Sequence, residues 1–263
     1  MLAKLTYLFL SLSLLPAQSA YNLYSPYMEL PSIGDGETMH FGFYLHADIP
    51  DSDGDSDGNL DDYYRISIND ISATAWHSDD FNSDDGNNFW CADEEVEGYF
   101  NSWIQYLDTP NFTVPSGGSM SADMRWAIED PAGAVLAGTC TDGWDQANVQ
   151  ISTDDGATWA VINGSDPYDF DCGYGTVYNG YDGAPGWGGI EDWHNVSFDL
   201  SAYVGQSASL RFAFYSDPSW STVDEAEITG FQVDNIVISN EIFSDTAGDE
   251  SNMLTLGASW VDQ

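Results

Sequence analysis

Apolar residues recur at every second position in this chain, and that period limits what it can fold into. In TMHFGFYLHADI (38–49), Met39, Phe41, Phe43, Leu45, Ala47 and Ile49 fall on one side. His40, Tyr44, His46 and Asp48 fall on the other. A period of two is the geometry of a strand with one buried face. The pattern resumes in YYRISI (63–68), MSADMRWAIE (120–129), ANVQIST (147–153), NVSFDL (195–200), ASLRFAFYS (208–216) and GFQVDNIVIS (230–239). Clusters of Gly, Pro, Asn and Asp separate these runs, and no amphipathic helical stretch exceeds two turns. Short strands punctuated by turn residues predict an all-β sandwich. In LRFAFY, Leu210, Phe212 and Phe214 are expected to face the core, and Arg211 to pair with a carboxylate. The Gly- and aromatic-rich stretch 166–192 predicts a long ordered loop, a kind of segment that often carries function.

The chain opens with Lys4, the apolar run LTYLFLSLSLL and the small-residue stretch AQSA ending at Ala20. That order predicts a secretory signal over residues 1–20, with an apolar run too short to span a bilayer. The mature protein is expected to be secreted, extracellular or held at a cell surface, with no membrane insertion. Residues 21–37 read as a lead-in and 38–239 as the sandwich, with an acidic loop inserted at 50–62. Residues 240–263 read as a C-terminal tail, in which NMLTLGASW resumes a strand-like pattern as the start of a further region.

Charge narrows the partners. Only 4 Lys+Arg stand against 44 Asp+Glu, for a formal net charge of −40. A surface of that sign excludes nucleic acid and anionic membranes as partners. It needs screening salt or bound cations to hold its carboxylates together. The densest acidic stretch is DSDGDSDGNLDD (51–62). With Asp53 at the first position, Asp55 and Asp57 take the third and fifth, Gly58 the sixth, Leu60 the eighth and Asp61 the ninth. This is the D-x-D-x-D-G frame of a calcium loop, in which alternate carboxylates face one centre and the glycine takes the sharp bend. The carbonyl of Asn59 would supply the seventh-position ligand. Tyr64 stands where an EF-hand places a bidentate Glu, so Asp51 or Asp62 would have to supply that oxygen. The loop looks more like those of thrombospondin type 3 repeats. Hard oxygen ligands in this number select calcium.

Three stretches, DGWDQANVQISTDDGATW (142–159), FDLSAYVGQSASLRFAFYSD (198–217) and GFQVDNIVIS (230–239), together resemble a known domain. It is the MAM-like jelly-roll domain of the immune inhibitor A type of secreted bacterial metallopeptidases, also found in surface proteins that are not peptidases. The stretch 89–112 is similar to that domain's opening strands, so the resemblance covers residues 64 to 239. It implies a jelly-roll β-sandwich and a second calcium held by acids near Glu129 and Asp234. It also implies a disulfide between Cys140 and Cys172, which sit in loops on either side of the ANVQIST strand, and leaves Cys91 unpaired.

No catalytic residues are assigned. The chain has no H-E-x-x-H, G-x-S-x-G or C-x-x-C, and its histidines show no i, i+4 pair. A catalytic zinc needs three protein ligands and an open position. His40 and His46 share a strand face with Asp48 but read as exposed strand residues. The function expected is a secreted, non-catalytic, calcium-binding sandwich acting in extracellular binding or adhesion, with carbohydrate or a cell-surface protein as partner. Trp187 in GAPGWGG is the foremost exposed candidate for stacking on a sugar, with Tyr174, Tyr178 and Tyr181 nearby. An accessory region of a longer immune inhibitor A-type peptidase is the alternative, and a glycoside hydrolase a weaker one.

Overall fold

The structure is a computed structural model and describes residues 68–70, 74–83, 86–239, 241–247 and 253–261. The chain divides into two compact units, and the sandwich lies in the one that holds Asn69–Trp260. In chain order its strands are β1 (Ile68–Asp70), β2 (Trp76–Asp79), β3 (Asn88–Cys91), β4 (Trp103–Asp108), β5 (Phe112–Thr113), β6 (Ser119–Ala127), β7 (Gln146–Ser152) and β8 (Ala160–Val161). After a short helix α1 (Tyr174–Tyr178) come β9 (Ile190–Asp199), β10 (Ser207–Tyr215), β11 (Gly230–Ile238), β12 (Phe243–Asp245) and β13 (Leu254–Val261).

Among the described residues the strands form two antiparallel sheets. One runs β1-β13-β4-β10-β7-β8, with β5 on β10; the other runs β2-β3-β11-β6-β9, with β12 on β11. The chain passes repeatedly from one sheet to the other, β5 to β6 to β7 and β8 to β9 to β10 to β11, as in a jelly-roll sandwich. The alternation in the sequence sets which residues lie between the layers. Leu210, Phe212 and Phe214 of β10 and Val149 and Ile151 of β7 meet Met120, Met124 and Trp126 of β6, Val196 and Phe198 of β9 and Phe231 and Val233 of β11. Each large side chain buried there stabilises the fold by roughly 1.5–3 kcal/mol.

The outer face of β7 and β10 is buried as well. Asn148 donates to the Pro185 carbonyl (2.9 Å), and Gln150 donates to the Tyr215 hydroxyl (3.1 Å). The 166–189 loop therefore lies as a third layer on this sheet, as a long ordered loop should. Arg211 on the same face makes two hydrogen bonds to Asp108 (2.7 and 2.8 Å) and lies 3.8 Å from the ring centres of both Tyr106 and Trp159. The expected pairing of Arg211 with a carboxylate holds. The Cys140–Cys172 disulfide forms, and Cys91 is buried with a free thiol. Gly183 passes so close to the bridge that any Cβ there would collide with both sulfurs.

Two expectations are corrected. The stretch read as a C-terminal tail supplies two strands of the sandwich: β12 pairs with β11, and β13 pairs with β4 from Leu254↔Asp108 to Ser259↔Trp103. Trp187 is not exposed; it is 0% accessible and stacks on Trp126 at 5.0 Å. Its place in a glycine-rich loop suggested a ring held out to solvent. The glycines instead let the backbone dip into the core, where Trp187 exchanges two backbone hydrogen bonds with Ala147 of β7.

Candidate metal centre

The sandwich ends in a cluster of carboxylates. Glu129 follows β6, Asp145 directly precedes β7, and Asp217 follows β10. β7 and β10 pair with Gln146 opposite Tyr215, so the strands deliver Asp145 and Asp217 to the same end of one sheet. β6 belongs to the other sheet and carries Glu129 across to them. One carboxylate oxygen from each lies within 4.8 Å of the others.

The cluster is anchored yet short of partners. The Asp217 amide donates to Asp145 Oδ1 (2.7 Å), the Ser219 amide to Asp217 Oδ1 (2.9 Å) and the Glu129 amide to the Tyr99 hydroxyl (3.1 Å). Burial and the neighbouring Asp145 carboxylate push the Tyr99 hydroxyl well above its usual range. Asp145 is fully buried, and its Oδ2, like Glu129 Oε2, is enclosed with no hydrogen-bond partner among the described residues. Buried carboxylate oxygens are normally paired, because leaving one bare costs a large part of its hydration. Among the described residues no arginine answers them. Arg211 is held by Asp108, and Arg125 by Gln232 (2.8 Å) and Asp192 (3.8 Å).

The acidities carry the same strain. Burial, with Asp217, Glu225, Asp130 and Asp224 around it, pushes Glu129 up to about 8. Burial pushes Asp217 up to about 6. Asp145 is raised well above the usual carboxylate range by burial and then by Asp217. Without an ion the three carboxylates must share protons; a divalent cation would replace those protons and satisfy both bare oxygens. Three hard oxygen donors suit calcium.

The cluster takes in one of the two acids expected near a second calcium. Glu129 belongs to it and Asp234 does not. Asp234 pairs with Asp123, and from Asp123 to Glu129 is about 20 Å of extended strand at roughly 3.3 Å per residue. Its Oδ1 instead accepts the Asn235 amide (2.6 Å) at a bulge in β11. Asp145 and Asp217 were not singled out; both flank strands that the structure buries on both faces. Asp51, Asp53, Asp55, Asp57, Asn59, Asp61 and Asp62 lie outside the described residues.

The expected sugar-stacking residues are scattered. Tyr174 and Tyr178 stack edge-on with each other on α1, Tyr181 is 42% exposed beside Tyr215, and Trp187 is in the core. Trp220, not singled out from the sequence, is 49% exposed, and its indole N–H reaches Glu225 Oε2 (2.9 Å) in the loop beside the carboxylate cluster. Trp126 and Trp187 also line a cavity of about 450 Å³ with Asp166, Asp169, Gly188, Ile190, Glu191 and His194. Both nitrogens of His194 are engaged there, by the Asp192 carbonyl (2.8 Å) and Asp166 (2.9 Å).

Among the described residues no helix is long and apolar enough to cross a membrane. No protein-family model matches the chain, and a search of curated proteins found none that matches it.

Proposed function

We propose that this chain is a secreted, non-catalytic β-sandwich that binds calcium and acts in extracellular binding or adhesion. The observation that supports it best is the Glu129–Asp145–Asp217 cluster, where two buried carboxylate oxygens await a partner and both sheets contribute a ligand. A cation there would join the two sheets at one end and fix the loops around it. The D-x-D-x-D-G frame at 53–58 supplies a second, independent reason to expect calcium, and the resemblance to MAM-like domains of the immune inhibitor A type fits the same reading. Trp220, exposed in the loop beside the cluster, and Tyr181 are the aromatic contacts open to a carbohydrate or a cell-surface protein. The alternative, an accessory region of a longer secreted peptidase, rests on that resemblance alone. It shares the expectation that the isolated chain hydrolyses no casein.

Calorimetric titration of the chelator-treated protein tests the reading. Calcium is expected to bind and to raise the melting temperature, since a ligand held only by the folded state stabilises it by mass action. Asp217→Asn is expected to weaken one class of sites by about tenfold or more, because affinity follows the charge of the ligand set. Glycan-array binding that disappears with chelator and with Trp220→Ala would support the adhesive role. Absence of calcium uptake, with an unchanged melting curve, would remove its basis.

A further inference from the structure

A second group of metal-ligating side chains lies on the six-stranded sheet, away from the carboxylate cluster. β2 is an edge strand of that sheet, and its His77 and Asp79, two residues apart, point to one face. Beyond β3, a turn closed by the Asp93–Gly98 bridge places Glu94 beside them. His77 Nε2 and one carboxylate oxygen from each of Asp79 and Glu94 lie within 4.8 Å of one another, with Glu94 Oε1 3.7 Å from Nε2.

The histidine is set as a ligand. Its Nδ1 lies 2.8 Å from the Ala75 carbonyl oxygen, which can only accept, so Nδ1 carries the proton. That leaves Nε2 as the nitrogen that faces the two carboxylates and can offer a lone pair to a metal. Nε2 is buried and has no hydrogen-bond partner among the described residues, and Trp90 packs against the ring at 5.5 Å. Asp79 is steadied by the Phe81 amide on Oδ1 (2.6 Å). A backbone carbonyl on one imidazole nitrogen and a free lone pair on the other is how metal-bound histidines are oriented. His194 is the contrast, since both of its nitrogens are already engaged.

We propose that His77, Asp79 and Glu94 form a site for a divalent first-row transition ion, distinct from the calcium centre. One imidazole nitrogen with two carboxylate oxygens suits zinc or its neighbours. Calcium takes oxygen ligands and has no use for the imidazole.

The test titrates zinc into the full chain held in excess calcium, following the imidazole resonances by NMR and uptake by calorimetry. Wild type is expected to bind zinc with a shift of the His77 Nε2 resonance. His77→Gln is expected to abolish that binding. Glu94→Gln changes a side chain 72% exposed and spares the fold, and is expected to weaken it by about tenfold or more. Asp217→Asn is expected to leave it unchanged. Zinc uptake that survives His77→Gln and Glu94→Gln at wild-type affinity would overturn the proposal. So would a His77 resonance that ignores zinc, or zinc uptake lost in Asp217→Asn, which would place the ion at the calcium cluster.

Discussion

Asp145 is an acid that the fold without an ion would do better without. It is fully buried, beside Asp217 and Glu129, with one oxygen bare. Asparagine has nearly the same shape and keeps a carbonyl for the Asp217 amide. Asp145→Asn is therefore expected to raise the melting temperature of the chelated protein at pH 8 and to lower that of the calcium-loaded protein. Scanning calorimetry in each condition checks both signs. The pH dependence follows from the same residues. Glu129 sits near 8 in the folded state against an ordinary value of 4.5, so the folded chain binds the extra proton. Its contribution to stability is full below about 4.5 and is lost as pH rises through about 8; Asp217, near 6, adds a loss over the lower part of that window. The ion-free protein is expected to melt lower at pH 8 than at pH 5.5. Calcium affinity should run the other way, rising with pH as each competing proton leaves. A chelated protein equally stable at both values would show that the three carboxylates share no protons. These acids were hidden in the sequence for a plain reason: with 44 Asp+Glu, no single acid stands out. What marks Asp145 and Asp217 is their place at the ends of paired, doubly buried strands, and that pairing depends on register.

Elements were easier to read where their burial is one-sided. β6 alternates buried and half-buried residues along most of its length, and the alternation was plain in MSADMRWAIE. β2 has Trp76 as its single buried residue and offered no alternation to read. β13 was seen as strand-like but not as a partner of β4, because nothing in a strand's own residues names its neighbour. Two predictions belong here. Truncation after residue 247 would strip β13 from β4 and leave β4 as an open edge, which invites association between chains. Loss of a monomeric peak in size-exclusion chromatography is the expected result. The Cys140–Cys172 bridge spans 32 positions, and chain entropy assigns such a loop about 3–4 kcal/mol. Cys140→Ser with Cys172→Ser should lower stability to denaturant by that order. Gly183→Ala, which puts a methyl group against the bridge, should lower it in the oxidised protein and much less in the double serine variant.

At the scale of the whole molecule the charge is almost all of one sign. The formal net charge is −40, and the two arginines in the described residues are both already engaged with carboxylates. Most of the described surface carboxylates therefore have no arginine to pair with. At 0.01 M salt the Debye length reaches about 30 Å, so repulsion acts across the domain; at 0.15 M it falls to about 8 Å. The melting temperature is expected to climb steadily with sodium chloride, because screening is unspecific and has no saturation point set by a site. If calcium fills particular ligand sets, as proposed, it should act at far lower concentration and should saturate. The two responses separate in one variant. Asp217→Asn removes a proposed ligand from the end of the sandwich and only one of the chain's many acids, so it should blunt the calcium response while leaving the sodium chloride response nearly intact. Thermal melts of wild type and variant over both titrations measure this. A melting temperature indifferent to ionic strength would mean that self-repulsion is not what limits this fold. A variant that lost both responses in equal proportion would mean that calcium acts here only as a screening ion.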